Sequence, residues 1–213
     1  MLSRAFRVSA LVACLSIAGV AQAGPTSLFI MPIADCLKKL EGFAYAGLGG
    51  TEHNVSKAEY YYNAATIGLG HNVEVGYDSD FMGHISGNVK YQLFEGPKFA
   101  PGTALSVGVS NWRGDAVDPY VVGRYDGKGY RLHAGYWRTL GTNRLMLGSD
   151  FPVAPSFTGS VEFLSGPHSQ SWAMLNYQIP FVPGLLLGLA VGVPSDHRDG
   201  LQHSALLYYS FKI

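Results

Sequence analysis

The stretch ALLYYSFKI, residues 205–213, closes the chain on an alternating pattern. Ala205, Leu207, Tyr209, Phe211 and Ile213 are apolar at every second position, and the residues between the last three of them are polar. Successive side chains of a β-strand point to opposite faces, so a period of two predicts a strand with one apolar face. The stretch therefore predicts a half-apolar strand that runs to the last residue.

The same alternation recurs through most of the chain, most clearly in residues 73–81, 84–94, 130–139 and 157–165. Clusters rich in Gly, Pro, Asn and Asp separate the alternating stretches, as turn geometry requires. We count eleven such connections, which predict twelve strands of roughly 8–13 residues joined as antiparallel hairpins.

Two architectures fit such strands: a soluble sandwich or barrel with its apolar face inward, or a membrane barrel with that face outward. Strands of about 9–11 residues tilted near 45° match a hydrocarbon core, and bacterial outer-membrane barrels have even strand numbers. Aromatic residues also crowd toward the predicted strand ends, where a membrane barrel carries its aromatic girdle. The predicted girdle residues are Tyr60 to Tyr62, Phe81, Trp112, Tyr120, Tyr130, Phe157 and Trp172. The prediction is an all-β fold, a single closed antiparallel up-and-down transmembrane β-barrel of about 12 strands.

The polar faces of the predicted strands carry ionisable side chains, which are too many for a dry soluble core. We predict that they line the lumen, where opposite charges would pair or would set the selectivity of a small channel. The predicted lumen-lining residues are Glu74, Asp78, Lys90, Arg124, Arg131, His133, Arg144 and Glu162.

The first residues have the pattern of a secretory signal peptide, predicted over residues 1–23. Arg4 and Arg7 precede an apolar stretch, and a small-x-small site ends at Ala23. A lipoprotein site at Cys14 is the rival interpretation, but too few apolar residues precede that cysteine. Residues 24–40 are predicted to be a short periplasmic leader, with a plug inside the lumen as the alternative, and residues 41–213 are predicted to form the barrel.

The composition excludes several classes of function. The formal net charge is zero and only 14% of residues are charged, which argues against nucleic-acid binding. Cleavage after Ala23 would remove two arginines and leave about −2, with Cys36 as the one remaining cysteine, so no internal disulfide is possible. No hydrolase, P-loop or dinucleotide fingerprint occurs, and neither a cofactor nor a metal site is predicted.

Residues 171–195 contain no charge before Asp196 and need a separate interpretation, because residues 185–193 resemble a membrane helix in composition. Three prolines, Pro180, Pro183 and Pro194, interrupt the segment. They leave an uninterrupted apolar run of about ten residues, whereas a helix that spans a membrane needs about 20. We therefore predict a strand with Leu187 and its alternate neighbours facing lipid.

The end of the chain resembles the C-terminal recognition signature of outer-membrane barrel proteins, with Leu207, Tyr209, Phe211 and Ile213 in the alternate positions. That family usually ends in phenylalanine, and this chain ends in Ile213. The resemblance implies the outer membrane of a Gram-negative-type bacterium, contact with its lipid, and the barrel-assembly machinery as a partner.

A looser resemblance covers most of the predicted mature chain. The order of five segments resembles that of small bacterial outer-membrane barrels of a YjbH-like pattern: Met31 to Asp35, Val73 to Asp78, Asn88 to Tyr91, Ala104 to Gly108 and Arg131 to Tyr136. This resemblance implies a structural or transport-related envelope role, with polysaccharide-export proteins as partners. It supplies no catalytic residue.

An alternative function is a lipid hydrolase or acyltransferase at the extracellular rim. If the amino terminus lies in the periplasm, the odd-numbered connections face outward and carry histidines and aspartates that would bind metal or activate water. A polar rim facing headgroups is the simpler interpretation. The rim candidates are Asp80, His84, His168 and His197.

Overall fold

Within the residues that the structure describes, the chain forms twelve antiparallel β-strands, as predicted. The computed structural model describes residues 28–52, 59–80, 84–96, 101–114, 116–139 and 141–213, so the predicted signal peptide lies outside the described residues. The strands are β1 (Glu41–Thr51), β2 (Tyr60–Gly70), β3 (Val73–Ser79), β4 (Ile85–Glu95), β5 (Thr103–Arg113), β6 (Ala116–Gly127), β7 (Tyr130–Thr139), β8 (Thr142–Ala154), β9 (Phe157–Leu164), β10 (Gln170–Gln178), β11 (Leu185–Pro194) and β12 (Gln202–Lys212).

Each strand pairs with its neighbours in sequence, and β1 pairs with β12 to close the barrel. The closing register joins Glu41 to Lys212 and Thr51 to Gln202 without a shift. Closure explains why the alternating pattern extends to the chain's last residues, since lipid satisfies no backbone hydrogen bond and a spanning sheet cannot leave an open edge. The all-β barrel prediction is confirmed.

The apolar faces of the strands point outward. In β11, Leu187, Leu189 and Val191 are about half exposed, whereas Ala190 between them is buried. Polar residues such as Ser106 and Asn176 are fully buried inside the barrel. An apolar exterior around a polar interior is the arrangement of a membrane barrel, and it inverts that of a soluble one. The segment that resembles a helix in composition is strand β11, and no helix among the described residues is long and apolar enough to span a membrane.

The barrel has two ends, named here the near end and the far end. The near end carries Glu41 and Lys212, and its connections are residues 71–72, 96–102, 128–129, 155–156 and 179–184. The far end carries the other six connections. The turn before β11 illustrates the local requirements: Gly184 has a φ of 82°, and a Cβ there would collide with the carbonyl oxygen of Ser210 on β12, so glycine is needed on both counts.

Residues 28–40, called the plug below, run into the lumen: residues 28–37 lie inside the barrel, and residues 38–40 are exposed where the plug joins β1. Leu28, Met31, Ile33 and Ala34 are all at most 4% exposed and pack against inward-facing residues of the barrel. For residues 28–40 the structure therefore differs from the predicted loose periplasmic leader. It agrees with the alternative, which was a plug inside the lumen. The physical reason is that this segment is largely apolar, and the lumen gives its side chains a place to leave water.

The predicted aromatic girdle is only partly present. Trp112 and Tyr130 are exposed near strand ends, but Tyr120 and Trp172 are buried in the lumen. The parity of each position in its strand decides this, because Tyr120 lies two residues before buried Val122 and so faces the interior. Proximity to a strand end alone does not separate girdle from lumen residues.

Candidate functional site: the plugged lumen

The first part of the plug, residues 29–31, is anchored to one carboxylate. The backbone N–H groups of three successive residues, Phe29, Ile30 and Met31, donate to Glu162 of β9. The Ile30 and Met31 nitrogens lie 2.9 and 3.1 Å from Oε2, and the Phe29 N–H donates to Oε1. Successive N–H groups that converge in this way form an anion-binding concavity. Glu162 is 4% exposed, so these bonds provide much of the solvation that its charge loses inside the barrel.

Aromatic packing supports the same part of the plug. The ring of Phe29 lies 4.4 Å from that of Trp172 and 6.2 Å from that of Tyr62, measured between centroids. Met31 reaches β8, where a Cβ on Gly148 would lie 2.9 Å from its sulfur. The absence of a side chain at Gly148 thus makes room for the plug.

The middle of the plug binds through Ala34 and Asp35. The amide of Gln92 and the hydroxyl of Ser106 donate to the Ala34 carbonyl oxygen at 2.9 and 2.6 Å. The carboxylate of Asp35 contacts Arg124 and lies 3.4 Å from Nη1 of Arg131. Strands β4, β5, β6 and β7 therefore all hold this short stretch.

The lower part of the plug meets the near end of the barrel. Glu74 forms an ion pair of 2.7 Å with Lys90, and its other oxygen accepts the Leu37 N–H at 2.9 Å. The Leu40 N–H donates to the carbonyl of Gly68 at 2.9 Å. A Cβ on Gly68 would collide with the carbonyl oxygens of Leu37 and Lys38, so the plug runs directly against the β2 backbone.

Cys36 lies in the same part of the plug, close to Glu74. The thiol is half-buried between the plug and the barrel wall, and burial raises its pKa to about 12, with the nearby charge of Glu74 adding to the effect. Since the thiolate is the reactive form, the thiol is chemically quiet while the plug is in place.

Beside the middle of the plug lies a charged cluster on β6, β7 and β8. Asp150 accepts from Nε of Arg131 and contacts Nε2 of His133, both at 2.8 Å. Arg124 pairs with Asp126 at 2.8 Å as well as with Asp35. Arg124 also lies 3.6 Å from a carboxylate oxygen of Glu95, so both arginines bind barrel carboxylates in addition to the plug.

The structure places the predicted lumen-lining residues inside the barrel. Among these eight residues, only one acidic side chain forms an ion pair with a basic one. Glu74 pairs with Lys90, whereas Glu162 binds backbone N–H groups. Arg144 lies toward the far end, with Nη1 at 3.4 and 3.5 Å from the carbonyl oxygens of Ser165 and His168.

A cleft remains beside the plug, between it and strands β1 to β7 and β12. Its inner cavity has a volume of about 290 Å³, and a second cavity of about 190 Å³ lies toward the far end. Tyr45, Asp78 and Asn111 line both cavities and so mark the passage between them. Glu74 and Lys90 line the inner cavity near the opposite end of β3, where the plug also binds. The cleft is thus entered from the far end and is bounded below by the plug.

Asp78 stands out among the residues of the cleft. Its carboxylate accepts from the Tyr45 hydroxyl at 3.4 Å and from the side-chain amide of Asn88. Both donors are neutral. In the described part of the chain, no cationic side chain forms an ion pair with Asp78.

The rim candidates are not brought together. His84 Nδ1 and Asp80 Oδ2 lie 2.5 Å apart in the connection 80–84, and both side chains are exposed. His168 lies in the connection before β10, on the opposite arc of the barrel, and has a φ of 54°. His197 begins a short 3-10 helix (His197–Asp199) in the last connection. Among the described residues, no group of three His, Cys, Asp or Glu side chains is placed to hold a metal ion.

Sequence reasoning missed Asp35, Asp126 and Asp150, which are the acidic partners of the two lumen arginines. Within β6, parity assigns Asp126 to the same face as Arg124, and within β8 it assigns Asp150 to the same face as Arg144, so that signal was present in the alternation. The signal for Asp35 was the composition of its own segment. Leu28, Met31 and Ile33 are more apolar than an exposed leader requires, so the segment that contains Asp35 was a candidate for burial in the lumen.

Comparison with known proteins gives the fold. No protein-family model matches the chain, and no curated protein matches it in sequence. Among solved structures it is similar to KdgM porin, with a TM-score of 0.57 and 15% identity over 80% of this chain and 99% of that one. A structure of KdgM porin in complex with disordered oligogalacturonate has a TM-score of 0.56 and 14% identity, over 80% and 99% of the two chains. NanC porin has a TM-score of 0.52 and 13% identity, over 81% and 100%. At these identities the likeness concerns the fold alone, which is that of outer-membrane porins.

Proposed function

We propose that the protein is an outer-membrane channel for small solutes whose lumen is closed by its own plug. The observation that carries the proposal is the mode of plug binding. Residues 28–40 fill the lumen, yet they are held by hydrogen bonds and ion pairs to separate strands rather than by belonging to the sheet. A segment bound in this way can leave without breaking a strand pairing. The porin fold supports the same conclusion.

The proposal also assigns each end of the barrel to one side of the membrane. The near end, which carries Glu41 and Lys212, would face the periplasm, and the far end would face the exterior. The C-terminal resemblance supports this orientation through Leu207, Tyr209 and Phe211, the recognition positions of proteins assembled from the periplasm. The cleft would then open to the outside, with the plug between it and the periplasm.

Barrel size makes a conducting state physically reasonable. Eight-stranded barrels are filled by side chains and sixteen-stranded ones enclose aqueous channels, so a twelve-stranded barrel lies between them. Here the additional interior volume is taken by the plug and the cleft of about 290 Å³. Release of the plug would join that cleft to the near end. An association with polysaccharide-export proteins stays a prediction from the YjbH-like resemblance.

Planar-bilayer recording tests the proposal. The mature chain, residues 24–213, would be compared with a variant that lacks residues 24–37 and keeps the residues adjoining β1. We expect brief or rare openings from the full chain and steady single-channel steps from the shortened one. A shortened variant that inserts with full β-sheet content and stays silent would contradict the proposal.

The alternative rim enzyme has one supporting feature, the contact between His84 and Asp80. A His84→Ala variant separates the two functions. We expect it to insert into vesicles and to conduct as the parent does, because His84 lies in an exposed connection outside the plug contacts. Loss of a lipid-hydrolysing or acyl-transferring activity in this variant, measured on lipid vesicles, would instead support the enzyme.

A further inference from the structure

The cleft contains a carboxylate whose charge no ion pair within the described residues balances. Asp78 faces both cavities, and its two oxygens accept from Tyr45 and Asn88. Both donors are neutral, so the charge of the Asp78 carboxylate has no cationic partner among the described residues. The passage between the two cavities therefore carries a negative charge.

We propose that the cleft is a binding site for a small organic cation, with Asp78 as its counter-ion and the surrounding aromatic rings as its walls. This inference deepens the proposed function, because it names the solute class of the same lumen. It concerns the closed barrel, however, and binding there does not require conduction.

The other charges that line the cleft are balanced. Glu74 and Lys90 form an ion pair 2.7 Å apart in the inner cavity. At the mouth, Asp80 contacts His84 and lines the same cavity as Arg113, so the carboxylate there has basic neighbours. The arginines of the opposite wall, Arg124 and Arg131, bind Asp35, Asp126 and Asp150 and do not line either cavity. The interior of the cleft thus has one net negative charge, at Asp78.

Aromatic side chains provide the second half of the site. The inner cavity is lined by the rings of Phe43, Tyr45, Tyr120, Trp137 and Tyr208 and by Phe29 of the plug. Aromatic faces attract cations, and quaternary ammonium groups are recognised in proteins by such rings. Many rings around one carboxylate suit an alkylammonium group better than a strongly hydrated metal ion or an anion.

The volume limits the solute. A cavity of about 290 Å³ lies at the lower end of the range for ligand pockets, which is about 300–1,000 Å³. A solute of the size of choline fits, whereas an oligosaccharide would require the plug to move. The closed barrel is therefore expected to select for small cations.

Binding to the detergent-solubilised mature chain tests the proposal by isothermal titration. The probe is choline, and the matched control is 3,3-dimethylbutan-1-ol, which has the same shape with carbon in place of nitrogen. Gluconate and glucose serve as anionic and neutral polar controls. We expect choline to bind at least tenfold more tightly than each of the other three. Equal binding of choline and its neutral isostere, absence of choline binding, or stronger binding of glucose or gluconate would overturn the proposal.

Two variants locate the site. Asp78→Asn removes the charge and keeps the shape, and we expect it to lower the affinity for choline at least tenfold. Asp196→Asn removes a carboxylate from the last connection, outside the cleft, and should leave the affinity unchanged. Unchanged choline binding by a folded Asp78→Asn variant would also overturn the proposal. If that variant does not fold, the comparison of choline with its isostere on the parent chain still decides the matter.

The two proposals fail separately. Choline binding by a barrel whose plug deletion never conducts would support the cation site and refute the channel. Conduction by the plug deletion, without choline binding to the closed barrel, would support the channel and refute the cation site.

Discussion

Glu162 shows how one side chain can hold a segment without a covalent bond. It accepts hydrogen bonds from the N–H groups of residues 29–31 and is itself buried. Hydrogen bonds to a charged group are stronger than neutral ones, and leaving such donors buried and unpaired is costly. The plug is therefore most sensitive to change at this position.

We predict that Glu162→Gln releases the plug. The glutamine side chain keeps one acceptor oxygen and replaces the other by an NH₂ donor, which would face the plug's own N–H groups. The loss is about 1–3 kcal/mol. In planar bilayers this should raise the ratio of open to closed time roughly 5- to 150-fold, by the usual conversion of free energy to an equilibrium constant.

Ser160→Ala is the matched control for that experiment. Ser160 lies on the same strand and the same lumen face, is equally buried, and its hydroxyl contacts no partner among the described residues. We expect this variant to gate like the parent. Equal gating of the parent and the Glu162→Gln variant would show that Glu162 does not hold the plug.

Cys36 gives a second prediction at the residue scale, one that depends on pH. A thiol whose pKa is raised to about 12 loses its proton only in strong alkali, so the folded barrel contains little thiolate at pH 8. Against a thiol of ordinary pKa, maleimide labelling should be slower by roughly a thousandfold. The labelling rate of the folded mature chain should rise tenfold per pH unit through pH 10, whereas that of the unfolded chain should level off near pH 9. Levelling at the same pH in both states would contradict the burial of this thiol.

At the scale of elements, the strands could be predicted, whereas the plug could be given only as an alternative to a loose leader. In β11 and β12 the period of two alone predicts which side chains face lipid, because a strand has only two faces. The plug has no such period, and its path depends on contacts with strands far away in sequence, such as that of Ala34 with Gln92 and Ser106. Alternation assigns a side chain to the lumen, but which lumen side chains meet depends on strand register and on the plug.

The outward face of β11 provides a test of the membrane orientation. Leu189 lies at the middle of the strand and is 56% exposed. An arginine at the bilayer midplane of a barrel costs about 2–4 kcal/mol, and one near the interface about 0–1 kcal/mol. We therefore expect Leu189→Arg to lower the free energy of unfolding by about 2–4 kcal/mol, measured by guanidinium titration of the barrel in lipid vesicles.

Leu201→Arg is the control for this position. Leu201 is similarly exposed, but it lies in the far-end connection before β12, so its substitution should cost at most about 1 kcal/mol. If the two arginines cost the same, the exposed face of β11 does not contact hydrocarbon.

At the scale of the whole molecule, the barrel and the plug have different roles in stability. Every strand has two hydrogen-bonded neighbours in the closed sheet, and none of these neighbours is the plug. The plug instead supplies the apolar side chains that fill the centre, namely those of Leu28, Met31 and Ile33. The sheet is thus complete without the plug, and the plug gains its buried environment from the sheet.

We predict that the chain without residues 24–37 folds into the same barrel with lower stability. Its far-ultraviolet circular dichroism should match that of the parent, because the strand pairings are intact. Its Tm in detergent should fall, because buried apolar contacts are lost and the carboxylates of Glu74 and Glu162 lose their N–H donors from the plug. A shortened chain that forms no sheet at all would show instead that the plug is part of the folding core, and the view of it as a removable gate would then fail.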